Sequence, residues 1–162
     1  MSYAVYSTRG FVLGSAPSGE ASKIYLIYTE DFGLVRARAQ SVRLLVSKLR
    51  YNLEDYSFGI FSLVRGREIW RLAGAEKLDL PKSSFLICAR VLNLTKRLVQ
   101  GEEKNEKLFK SLLSMTKREI SEPLILACVL DALGYLDAGR LSHTGENKII
   151  QAVNKALKET QL

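Results

Sequence analysis

Lys23-Ile24-Tyr25-Leu26-Ile27-Tyr28-Thr29-Glu30-Asp31-Phe32-Gly33-Leu34-Val35-Arg36-Ala37-Arg38-Ala39-Gln40 decides how the first half of the chain folds. Two runs rich in β-branched and aromatic residues flank Glu30-Asp31-Phe32-Gly33, and Gly33 can take positive φ at no steric cost. The stretch therefore reads as a hairpin with strands near 23–29 and 34–40. The same short alternating pattern places a strand near 3–14 before it, and strands near 56–64 and 67–73 after it. The last two are joined by a tight turn at Arg65-Gly66-Arg67. Five short strands with one longer connection, 41–55, fit a small barrel of the OB type better than a sandwich.

After Pro81 the hydrophobic period changes from 2 to about 3.6 and strand signals stop. Ser83 or Ser84 caps a first helix with Phe85, Cys88, Leu92 and Val99 on its apolar face, ended by Gly101. A second helix carries Leu108, Phe109, Leu112, Leu113 and Met115. A third starts at Ser121-Glu122-Pro123, where proline's missing N–H costs little, and is apolar nearly all round from Leu124 to Leu133. That makes it the expected centre of the helical part. A fourth helix near 146–159 presents Ile149, Val153 and Leu157 on one face. The fold class expected is α+β: an N-terminal five-stranded OB-like β-barrel over 1–78, followed by an all-helical domain over 79–162, with the boundary at 76–82.

The sequence argues against catalysis. His143 is the one histidine and lies in the polar loop Ser142-His143-Thr144-Gly145, with no Gly-x-Ser-x-Gly motif to accompany it. There is no Gly-x-x-x-x-Gly-Lys-Ser/Thr phosphate loop, and Glu30-Asp31 and Glu54-Asp55 read as turn residues. Cys88 and Cys128 sit inside apolar runs and read as reduced core residues, although spacing alone leaves a disulfide open. With the loop histidine they do not make four zinc ligands, so neither a metal nor another cofactor is expected. The N-terminus lacks the pattern of a secretory signal, and no apolar stretch approaches 18 residues. The expectation is a cytoplasmic protein with no membrane partner.

The charge distribution points to a polyanion. Across 162 residues the net charge is +7, and from Phe32 to Leu53 there is no acidic residue while Arg36, Arg38, Arg43, Lys48 and Arg50 all fall there. In a strand, positions 36 and 38 share a face, so two guanidinium groups stand side by side. OB barrels commonly bind single strands across the second and third strands, with cations on phosphates and aromatic rings on bases. Tyr25 is the stacking candidate if it faces outward, followed by Tyr28 or Phe32; for Phe32 the plainer reading, packing in the barrel, is preferred. For Arg36 and Arg38 the plainer reading is a solvated strand face, and the length of the acid-free run favours binding over it.

These features occur in an order that resembles RecO, the bacterial recombination and repair mediator family. Gly10-Phe11-Val12-Leu13, then Ser18-Gly19-Glu20-Ala21-Ser22, then Ile24 to Gly33 are similar to that family's opening strand, Gly-Glu turn and second strand. Arg38 to Arg43, Ser47-Lys48-Leu49-Arg50, Leu53-Glu54-Asp55-Tyr56 and Val64 to Glu76 look like its basic loop, fourth strand and closing strand. Leu126 to Leu136, with Leu133-Gly134-Tyr135, is similar to the helix before the zinc module of many members. The chain departs from the pattern in having no cysteine beyond Cys128, so it resembles a short form without that module. Gly14-Ser15-Ala16 and Gln40-Ser41-Val42-Arg43 stand where the family carries more basic residues.

The resemblance implies a mediator that binds single-stranded DNA and assists strand annealing and recombinase loading. The partners it implies are RecR, single-strand-binding protein and the recombinase filament. On this expectation Arg36, Arg38, Arg43, Lys48, Arg50 and Tyr25 contact DNA. The alternative is a protein-interaction adaptor with little DNA binding of its own, whose helical domain docks the acidic tail of single-strand-binding protein beside Lys96 and Arg97. The plainer reading of that pair, a solvated helix end suited to the helix dipole, is preferred.

Overall fold

The computed structural model describes residues 3–78 and 84–160. Among these, five strands form a closed barrel, β1 (Val5–Ser18), β2 (Ser22–Thr29), β3 (Gly33–Ala39), β4 (Phe58–Val64) and β5 (Trp70–Lys77), in the order β1-β2-β3-β5-β4. Four helices follow, α1 (Phe85–Leu98), α2 (Glu106–Lys117), α3 (Glu122–Ala132) and α4 (Glu146–Glu159). The α+β class with the barrel first is as the sequence implies. The chain divides into two compact units, one of residues Met1–Leu80 with Val99–Lys104, the other of Pro81–Leu98 with Asn105–Leu162. Pro81 and Ser83, where the change of period and one helix cap are expected, lie outside the described residues.

The barrel closes through a short parallel ladder between β3 and β5, Ala37 opposite Trp70 and Arg38 opposite Arg71; all other pairings are antiparallel. Its core gathers Val12, Tyr25, Ile27, Val35, Ala37, Phe61, Leu63, Trp70 and Leu72, with Val42 and Leu53 from the long connection packed in. β1 runs four residues past the expected end at Gly14, because a bulge between Val12 and Gly14 restores the pairing and carries it to Ser18 opposite Ser22. β5 starts at Trp70 rather than 67, since the turn before it is longer than three residues: a side chain on Gly66 would collide with the carbonyl of Ile69, 2.1 Å away.

The β2–β3 turn is built by local bonds. The Thr29 hydroxyl donates to the Gly33 carbonyl at 2.9 Å and accepts from the Phe32 N–H at 3.1 Å, while Gly33 sits at φ 67°. Segment 99–104 packs on this turn: the Leu34 N–H donates to the Gly101 carbonyl at 3.2 Å, and a Cβ on Gly33 would lie 2.3 Å from the Glu103 carbonyl. Glu102 accepts from Trp70 Nε1 at 2.8 Å and pairs with Arg65, whose guanidinium lies 5.0 Å from the Trp70 ring centre.

In the helical unit α3 packs against α1, α2 and α4, as its all-round apolar sequence requires. The Asn105 side chain caps α2 at the Leu108 N–H and donates to the Ala132 carbonyl, so one residue ties the start of α2 to the end of α3. α3 stops where Gly134 takes φ 82°, with Tyr135 N–H bonded to Leu130 O and Gly134 N–H to Asp131 O. The buried face of α1 is Cys88, Val91, Leu92 and Thr95. Phe85, expected on it, is exposed in the first turn, and Val99 falls beyond the helix end, in the barrel unit.

Candidate nucleic-acid interface

β3 alternates as a half-buried strand must: Val35, Ala37 and Ala39 point into the barrel, Arg36 and Arg38 out. Arg36 stands opposite Leu26 of β2, and Arg38 lies between Ile24 on one side and Arg71 of β5 on the other. Arg71 thus extends the guanidinium pair to three, and its group lies 5.6 Å from the Tyr3 ring centre. Arg38 and Arg71, with Gln40, Leu72 and Ala73, line a shallow depression of about 210 Å³. Among the described residues no carboxylate pairs with Arg36, Arg38 or Arg71. Three like charges held on adjacent strands without a counter-charge cost energy, and a bound polyanion relieves that cost.

The remaining expected cations sit on the connection from β3 to β4. Arg43 ties this connection to the β1–β2 turn, its N–H donating to the Ala21 carbonyl and its Nη1 to the Gly19 carbonyl, both at 3.0 Å. Val42 and Leu53 are buried, so the connection is anchored near both ends. Between it and the barrel lies a cavity of about 600 Å³, with Ser15, Lys23 and Tyr25 on the barrel side and Arg43, Arg50, Tyr51, Glu54 and Asp55 on the other. Lys48 is exposed outside the cavity, near Leu45 and Val46, which are over four-fifths exposed. Four of the five expected cations therefore fall into two groups, Arg36 and Arg38 on the outer face of β3 and Arg43 and Arg50 at the cavity, and Lys48 belongs to neither.

Tyr25 does not face outward. It is 3% exposed and packs with Ile27, Val35 and Ala37, because the phase of β2 that pairs with β3's inward alanines points Tyr25 inward too. Burial, and then the nearby Asp55 charge, push its hydroxyl above the usual tyrosine range. Tyr28 is fully buried, and Phe32 packs edge-on to Tyr6 and tilted against Trp70. None of these three rings offers an open outward face for a base. Tyr51 does, being 70% exposed at the cavity. The sequence reading missed Tyr51 and Arg71: Arg50-Tyr51 held a basic–aromatic signal, whereas Arg71 gains its neighbours only through the parallel closure of the barrel.

Residues 1–81, the barrel with all the cations named above, match the family model described as Recombination protein O N terminal. The chain belongs to the RecO family. It is 26% identical to the DNA repair protein RecO of Dehalococcoides mccartyi over 166 aligned positions, covering 92% of this chain and 64% of that protein. Against the RecO of Rubrobacter xylanophilus it is 41% identical over 75 residues, 46% of this chain and 30% of the relative. Against that of Alkaliphilus metalliredigens it is 28% identical over 141 residues, 79% and 56% of the two chains. The chain thus spans between 30% and 64% of these RecO proteins. Among the described residues no three His, Cys, Asp or Glu side chains stand together as metal ligands, and no helix is long and apolar enough to cross a membrane.

Proposed function

We propose that this chain is a DNA repair and recombination mediator whose barrel domain, 1–78, binds single-stranded DNA, with a helical domain over 79–162. In this role it binds rather than transforms its ligand, assisting strand annealing and recombinase loading together with RecR and single-strand-binding protein. The observation that carries the reading is the row of Arg36, Arg38 and Arg71, unneutralised on the outer face of β3 and β5, in a barrel of the RecO family. Arg43 and Arg50, with Lys23, continue the positive charge at the cavity beside the β1–β2 hairpin. The adaptor reading has less behind it: Lys96 and Arg97 are exposed in the last turn of α1, and neither lines the apolar cleft formed by Glu122, Pro123, Leu126, Ile150, Val153 and Asn154.

The test is titration of a labelled mixed-sequence single strand at several salt concentrations. About four phosphate contacts give a slope of log K against log salt of roughly −3. Binding that is absent, or indifferent to salt, removes the reading.

A further inference from the structure

The cavity of about 600 Å³ beside β2 has a lining that phosphate binding does not account for. Its volume lies within the roughly 300–1,000 Å³ typical of small-molecule sites. Lys23, Arg43 and Arg50 give it cations, and Tyr51 gives it a ring with an open face. Glu54 and Asp55 border the same space. Carboxylates repel a phosphate backbone, so in a groove that held only phosphates they would weaken binding.

The two acids are not equivalent. Glu54 is neutralised by an ion pair with Lys77. Asp55 makes no ion pair or side-chain hydrogen bond among the described residues, and its two oxygens remain available as acceptors. Tyr25 is an independent sign that the cavity suits a polar ligand. It is 3% exposed, lines the cavity, and its hydroxyl has no hydrogen-bond partner among the described residues. A buried hydroxyl left so is costly, and a polar ligand relieves the cost.

We propose that this cavity takes one unstacked base of the bound single strand, guanine by preference, stacked on Tyr51 and read by Asp55, with Lys23, Arg43 and Arg50 on the flanking phosphates. The proposal rests on the single-strand reading above and adds a base contact to it. A carboxylate prefers a base edge with two adjacent N–H donors, which guanine offers at N1 and N2. Cytosine and adenine each set a ring-nitrogen acceptor beside their amino group, and thymine flanks its one N–H with two carbonyls. None of these offers Asp55 two adjacent N–H donors, so a carboxylate takes at most one hydrogen bond from each, as from the cytosine amino group. Arg43 spends one donor on Gly19 and keeps the rest of its guanidinium for phosphate.

Three labelled oligonucleotides test it by fluorescence anisotropy: oligothymidylate, the same strand with isolated guanines, and that strand with inosine in their place. The parent protein is expected to bind the guanine strand about tenfold tighter than thymidylate, with inosine, which lacks the 2-amino group, between them. Asp55→Asn is expected to abolish the preference while leaving the salt slope on thymidylate unchanged. Tyr51→Ala, at an exposed position, is expected to weaken every strand by about tenfold without changing the slope. Circular dichroism confirms that each variant is folded. Equal binding of all three strands by the parent, with the slope intact, overturns the pocket and leaves single-strand binding standing. Failure to bind any of them removes both readings. A folded Asp55→Asn protein that keeps the guanine preference overturns the role of Asp55.

Discussion

Arg9 and Glu30 form a two-bond pair, Nε to Oε2 and Nη2 to Oε1, both 2.8 Å, between β1 and the β2–β3 turn. The hydrogen bonds from Arg9, aided by its charge, hold the Glu30 carboxyl below its usual range despite partial burial. A lowered folded-state value means that the pair's contribution is present above the ordinary carboxylate range, near pH 4.3, and is lost as pH falls through the folded value. Both side chains are more than a third exposed or close to it, which limits the gain to about 0.5–1 kcal/mol. Glu30→Gln is therefore expected to lower stability by that amount near pH 7, with the deficit shrinking at an acid pH below the ordinary carboxylate range. Urea melts at the two pH values check it, and an equal deficit at both would show that the loss is not electrostatic. At this scale legibility depended on whether a strand carries a polar face. Val35-Arg36-Ala37-Arg38-Ala39 fixes its own phase, since arginine cannot point into the barrel. Ile24-Tyr25-Leu26-Ile27-Tyr28 is apolar at every position, so nothing local says which way Tyr25 points; pairing with Ala37 decides it.

Segment 99–104 was not legible as part of the barrel unit. Gly101 marks a helix end in the sequence, but the bonds that hold the segment, to Leu34, Arg65 and Trp70, join residues more than thirty positions apart. The same limit hid the β3–β5 ladder, while hairpins and helix periods, being local, could be read. Glu102 is the element's polar anchor, because Trp70 is 2% exposed and its Nε1 donates to Glu102. Glu102→Ala leaves that buried donor without its acceptor and also releases Arg65, an expected loss of about 1–3 kcal/mol. Trp70 is the chain's one tryptophan, so its fluorescence reports the site without interference from another indole. A folded Glu102→Ala protein should show shifted tryptophan emission and a lower urea midpoint. Unchanged emission and midpoint would mean that the segment is held without this bond.

Over the whole molecule a net charge of +7 attracts any polyanion, and only the arrangement of cations distinguishes a site from a general field. Arg36, Arg38 and Arg71 stand side by side on one outer face, so a strand crossing β3 and β5 meets all three. If each neutralises one phosphate, its removal lowers the magnitude of the salt slope by about 0.7. Arg36→Ala with Arg38→Ala is expected to lower the magnitude of the slope by about 1.4, and Arg71→Ala in addition to lower it by about 0.7 more. Affinity should fall by the same factor on every sequence, since phosphate contacts position a strand without reading it. The guanine preference proposed for Asp55 should survive, because these three arginines lie outside that cavity. None of the three is buried, so the variants should keep the parent's circular dichroism and melting midpoint. A folded triple variant that binds with the parent's affinity and slope would move the phosphate contacts off β3 and β5, and would leave the cavity cations or the helical domain to carry them.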